Sequence, residues 1–253
     1  MIITVGTLSG GVGSWAACRR WIDANGTDGL ALLFADTGEE DPDTYRFLDD
    51  AAADLGAPLY RVTSGRDIWE VFRAHRWIGN SKLAHCSWDL KTEPSRAWIA
   101  DHPGITGIIV GIDWSEQHRL ADFTARWGAD GLTVLAPLVE DVWGKRRAQD
   151  LAERRGLRLP AMYGMGFGHA NCRGCVKAGQ GHWLRVLEQW PDVYARHEAQ
   201  ETALRAELGQ GAILRDWSEP GAPALTLTQL RQRAESHAPQ LDLFEEGGCG
   251  CFT

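Results

Sequence analysis

Short apolar runs alternate along the chain with amphipathic stretches of helical length. Residues 2–8 form a β-rich run, a glycine loop follows at 9–14, and residues 15–24 have helical character that ends at Asn25-Gly26. Residues 30–35 (Leu-Ala-Leu-Leu-Phe-Ala) are apolar throughout, as in a strand buried on both faces. Residues 42–55 predict a helix with Pro42 near its start and Gly56 after its end, and 58–62 predict a third strand. Helices over 67–75, 94–101 and 143–155 and strands at 106–111 and 134–137 continue the alternation. Strands separated by helices imply a parallel sheet with helices on both faces, so the predicted class is α/β with a doubly wound sheet.

From residue 181 the pattern becomes helical to 208, broken at Pro191, and a Pro/Gly linker at 220–223 precedes a short amphipathic helix near 226–236. The expected organisation is a main domain over 1–180 and a smaller helical extension over 181–253 that ends in a cysteine-bearing tail. With 253 residues, 44% hydrophobic and 24% charged, the composition is globular and excludes collagen, coiled coil and wholesale disorder. No apolar run approaches the roughly 18 residues of a membrane helix, and no basic leader precedes the first strand, so the expected location is the cytosol with no membrane contact. The 26 basic and 34 acidic residues leave a net charge of −8, so a nucleic acid would have to meet a local patch. Lys145, Arg146, Arg147, Arg154 and Arg155 give one helix a basic character, read as a solvated face.

The segment Ser9-Gly10-Gly11-Val12-Gly13-Ser14 lies between the first strand and first helix, where backbone N–H groups and the helix dipole favour an anion. Three glycines allow phosphate oxygens to approach the main chain, and the serine hydroxyls add donors. No Gly-Lys-Ser/Thr follows, so this is no Walker A loop. A dinucleotide fingerprint remains open at Gly11-x-Gly13-x-x-Ala16, with Asp36 as ribose partner.

Cysteines stand at 18, 86, 172, 175, 249 and 251, clustered in a chain large enough to need no disulfide staples, which favours a metal or redox role. Cys172-x-x-Cys175 is a metal half-site that by itself reads as zinc, with His169 and His182 as alternative ligands. Cys18, within the first helix, reads as packing.

Several segments together resemble the phosphoadenosine phosphosulfate (PAPS) reductase family of the adenine-nucleotide α-hydrolase-like fold. The glycine loop is similar to that family's Ser-Gly-Gly-x-Asp-Ser loop, with Gly13 in the Asp position. Further similarities are Phe34 to Gly38 with the helix start at Pro42, Cys86 with Lys91, Glu93 and Pro94, Gly111 with Glu116, Gln117 and Arg119, and Pro137-Leu138 before Cys172 and Cys175.

The resemblance, which covers about residues 1–180, implies that Ser9, Gly10, Gly11, Gly13, Ser14, Asp36 and Gly111 bind an adenine nucleotide, either ATP with magnesium or adenylyl sulfate. It implies a [4Fe–4S] cluster on Cys86, Cys172 and Cys175, with zinc as the alternative. Lys91 and Arg119 would stabilise charge on a transferred group, and a tail thiol of Cys249 or Cys251 would attack sulfur or carry it. Ile112 and Asp113 replace the family's two arginines, which points away from phosphosulfate.

The expected function is therefore ATP-dependent adenylation of a substrate followed by sulfur transfer. The alternatives are a sulfonucleotide reductase releasing sulfite and a zinc-stabilised binding protein without turnover. Expected partners are the nucleotide, a sulfur donor or thiol reductant, and a nucleic acid as one candidate acceptor. A homo-oligomer is left open.

Overall fold

The computed structural model describes residues 1–236. Its elements follow in order: β1 (Thr4–Thr7), α1 (Val12–Asn25), β2 (Leu30–Ala35), α2 (Pro42–Leu55), β3 (Leu59–Val62), α3 (Ile68–His75) and the single turn α4 (His85–Ser87). A π-helical segment, Trp88–Thr92, runs into α5 (Glu93–Ala100) and β4 (Gly107–Ile109). A 3₁₀ turn, Trp114–Arg119, leads to α6 (Leu120–Gly128), β5 (Thr133–Leu135), α7 (Pro137–Glu140), α8 (Lys145–Arg154) and α9 (Ala161–Gly164). Helices α10 (Gln180–Gln189) and α11 (Pro191–Leu208), the short strands β6 (Leu214–Arg215) and β7 (Ala224–Leu225), and α12 (Leu227–Ser236) complete it.

The main sheet has the order β3-β2-β1-β4-β5, all parallel. This is the expected doubly wound α/β sheet. The order reverses at β1, whose neighbours β2 and β4 continue the chain in opposite directions, so a crevice opens above the carboxyl ends of β1 and β4.

Strand alternation explains why β2 is apolar at every position. Leu32 and Phe34 join the core under α1, α2 and α8, whereas Leu33 joins Val5, Ile108, Phe123 and Trp127 on the other face. Each such fully buried side chain contributes about 1.5–3 kcal/mol. Cys18 is a core residue as expected, with no exposure, lying so close to β1 that a Cβ on Gly6 would meet its Sγ at 2.5 Å.

The segment from α10 to α12 shares one hydrophobic cluster with α3: Trp69 and Phe72 meet Trp183, Tyr194 and Leu230 there. Buried Glu201 ties this region together by accepting from the backbone N–H groups of Ile213 and Leu227, both at 2.7 Å. Beyond the expected pattern lie the short turns α4, α7 and α9, the 3₁₀ turn, α6 with Leu120, Phe123 and Trp127 on one face, the β6–β7 hairpin, and the π-helical start of the helix expected at 94. Among the described residues no helix is long and apolar enough to cross a membrane.

Candidate functional site

An open cleft occupies the crevice where the strand order reverses. Its floor is the glycine loop between β1 and α1, with Ser9, Gly11, Gly13 and Ser14 from one side and Gly111 after β4 from the other. Ser14 organises the loop: its hydroxyl donates to the Gly11 carbonyl at 2.8 Å and accepts from the Ser9 N–H at 3.0 Å. Gly10 adopts a φ of 80°, in the left-handed region that glycine tolerates. The first turn of α1 carries neither an acidic residue nor a side-chain cap, so its positive end faces the cleft uncompensated by charge.

Cations and hydroxyls stand around this floor. Arg119, at the end of the 3₁₀ turn, lines the cleft and pairs with Glu116. Lys145, at the start of α8, lines it as well, with its Nζ 4.5 Å from the centre of the Tyr163 ring. The Tyr163 hydroxyl accepts from the Val12 N–H at 3.1 Å, the kind of bond an anion takes at a helix start. Asp113 adds a carboxylate to the wall and caps the 3₁₀ turn by accepting from the Ser115 N–H at 2.8 Å.

Cys86, Cys172 and Cys175 line a second, smaller cavity beyond the end of β2. Two distant segments thus contribute cysteines to its lining, Cys86 from the α4 turn and the other two from the loop before α10. Lys91 shares the cavity because the π-helical turn directs it inward. It is buried, with Nζ 3.7 Å from Glu40 Oε1. Glu40 also faces the Cys172 thiol at 3.6 Å and accepts from the Thr37 hydroxyl at 2.8 Å. The Lys91 ammonium is matched by the Glu40 carboxylate, and the thiols beside the pair are soft donors of the kind that hold metals or clusters. For a single ion, among the described residues no group of three His, Cys, Asp or Glu side chains comes together to hold one.

The linings of the two cavities adjoin along the chain: Ala170 and Asn171 line the cleft, and Cys172, the next residue, lines the thiol cavity.

Of the nucleotide-site residues expected from the sequence, Ser9, Gly11, Gly13, Ser14 and Gly111 line the cleft. Gly10 supports the loop from behind, where a Cβ would stand 2.2 Å from the Thr44 methyl. Asp36 accepts instead from the Gly38 N–H at 2.9 Å and the Tyr45 hydroxyl at 2.7 Å, which shapes the turn after β2. Helix α2 is capped by Asp41 rather than Asp36 or Glu39. His169 lines the cleft, and His182 Nε2 lies 2.8 Å from the Arg173 carbonyl. Cys249 and Cys251 fall outside the described residues.

Glu40 and Tyr163 had no signal in the sequence, being single polar residues without a spacing motif. Lys145 was read as part of a solvated face and instead borders the cleft.

No family model matches the chain, and no curated protein matches it. Among solved structures, the chain is similar to the "Crystal structure of phosphoadenylyl-sulfate (PAPS) reductase from Candida auris, phosphate complex", at 16% identity and a TM-score of 0.48, over 68% of this chain and 82% of that one.

Proposed function

We propose that this protein is an enzyme of sulfur chemistry that binds ATP at the glycine loop and delivers sulfur from the neighbouring thiol cavity to an adenylated substrate. The carrying observation is that consecutive residues line the two cavities, Asn171 the cleft and Cys172 the thiol cavity. The proposal places the activated substrate group at this junction, next to the sulfur site.

In the first step a substrate oxygen attacks the α-phosphorus of ATP, the bond to the β-phosphoryl oxygen breaks, and pyrophosphate leaves. The loop N–H groups, Arg119 and Lys145 would hold the charge that develops there. In the second step a sulfur nucleophile attacks the adenylated centre and AMP departs with the substrate oxygen. Cys86, Cys172 and Cys175 would hold an iron–sulfur cluster, which when bound supplies a site for inorganic sulfide. Lys91 would neutralise charge beside these thiols, held in place by Glu40. The Asp113 carboxylate in the cleft supports magnesium-chelated triphosphate over a second anionic group such as a sulfonate.

The test is anaerobic purification with iron, acid-labile sulfide and zinc analysis, together with ATP–pyrophosphate exchange, in the native chain and Cys172→Ala. About four irons and four sulfides per chain, lost in the variant, support the reading. One zinc and no sulfide would overturn the cluster, and ATP binding without exchange in the presence of candidate acceptors would overturn adenylation.

A further inference from the structure

Beneath the Cys172–Cys175 turn lies a buried polar chain that neither the nucleotide cleft nor the thiol ligands account for. The Trp69 indole N–H donates to His197 Nδ1 at 3.1 Å. On the other side of the ring, Nε2 faces Glu39 Oε2 at 3.4 Å and Arg196 Nη2 at 3.1 Å. Arg196 donates to the same Glu39 oxygen. Trp69, His197 and Glu39 are at most 2% exposed, with Glu39 at the edge of the thiol cavity. Burial opposes the Glu39 charge, yet the His197 and Arg196 hydrogen bonds hold its carboxyl below the ordinary value.

Two contacts connect this chain to the thiols. The Glu39 carbonyl accepts from the Arg173 N–H at 2.8 Å, between the two cysteines. Gly174 lies flat on the His197 ring, where a Cβ would stand 2.1 Å from Nε2. Glu39 thus grips the turn through its main chain while its side chain is held by α11, and the imidazole forms the floor on which the turn rests.

We propose that the Trp69–His197–Glu39 chain is a positioning device for the Cys172–Cys175 turn, fixing the direction in which the two thiols face their cavity. The device gives the C-terminal helices a task in the site. Helix α11 contributes no residue lining either cavity, but through His197 and Arg196 it sets the platform under the turn. Outer hydrogen bonds of this kind fix ligand orientation in thiolate and imidazole sites. His197 and Glu39 are therefore positioning residues, and this inference rests on the reading that Cys172 and Cys175 form the sulfur site.

The experiment compares alkylation rates of Cys172 and Cys175 with that of Cys86 in full-length protein that has been reduced and chelated, by iodoacetamide labelling and peptide mass spectrometry. Metal and sulfide content of the untreated protein is measured in parallel. His197→Leu removes both hydrogen bonds and is expected to raise the ratio at least fivefold. His197→Gln, whose amide N–H can still reach Glu39, is expected to stay within twofold of wild type. A folded His197→Leu protein with the wild-type ratio overturns the proposal.

Should His197→Leu fail to fold, Gly174→Ala tests the same contact from the other side. Its added methyl is expected to lift the turn and raise the ratio at least fivefold, and Gly174→Ala combined with His197→Ser is expected to recover at least half of that effect on a logarithmic scale. Strict additivity of the two substitutions overturns the steric coupling. If wild type carries neither metal nor sulfide while the ratios behave as expected, the sulfur-site reading fails and the positioning of the turn stands.

Discussion

Gly111, just beyond β4, lies against Ser14 in the first turn of α1 so closely that a Cβ on Gly111 would stand 2.6 Å from Ser14 Cα and 2.7 Å from its nitrogen. Both neighbours are backbone, so neither can swing away. The contact holds the helix start against the crevice and keeps the floor of the cleft narrow.

Gly111→Ala is therefore expected to destabilise the fold by about 1–3 kcal/mol, the usual cost of overpacking. It should also weaken ATP binding at least tenfold, because the N–H groups of the loop shift together. Gly128→Ala, where an added Cβ meets nothing within 4 Å, is the control and should leave both properties near wild type. Thermal melts and calorimetric titration with ATP measure the two effects. An unchanged affinity in a folded Gly111→Ala protein would show that the nucleotide binds elsewhere.

Arg119→Ala is expected to separate binding from stability. The Arg119–Glu116 pair is only partly buried, with side chains 17% and 27% exposed, and such pairs contribute about 0–1 kcal/mol to folding. In the cleft, the same cation would meet phosphate. The variant should lose about tenfold in ATP affinity, equivalent to about 1.4 kcal/mol, with a shallower salt dependence. Adenosine, which lacks phosphates, should bind both proteins alike. Equal losses for ATP and adenosine would place Arg119 at the base or ribose instead.

Burial pushes the Cys18 thiol from 9.0 up to about 12. The folded state therefore favours the protonated thiol, and the stability linked to it is fully present below pH 9.0. As pH rises from there toward about 12, the unfolded chain releases its proton first and stability falls by about 1.4 kcal/mol per pH unit for this group. Denaturant melts at pH 8, 9 and 10 on the native chain and Cys18→Ala should show a smaller decline in the variant above pH 9. Parallel pH profiles for the two chains would refute the assignment. In native protein at pH 8, Cys18 should also resist alkylation that modifies it rapidly in denaturant.

Local signals in the chain were strong enough to place most of the sheet and its helices. β2 and α2 match their expected boundaries because an unbroken apolar run, a proline at a helix start and a glycine after its end each act through nearest neighbours. The loop from Ser9 to Ser14 was legible for the same reason. α11 hid its role because polar His197 and Glu201 share the buried side of the helix with Val193, Tyr194 and Leu204, which erases the apolar stripe that marks an inward face. The π-helical turn was equally invisible: Trp88 to Thr92 reads as a polar connection, yet it is what buries Lys91.

The order of residues along the chain sets the alternation of strands and helices, the glycine loop that opens the first helix, and the few segments in which thiols gather. Those properties follow from short-range sterics and from the period of apolar positions. Packing of the folded chain is what makes Lys91 meet Glu40 beside Cys172, Tyr163 reach Val12, and His197 support Gly174. Each of these contacts joins residues separated in the chain through a single polar side chain. Such a group leaves no periodic trace, so its partner is fixed only when the sheet order and helix packing bring the two together.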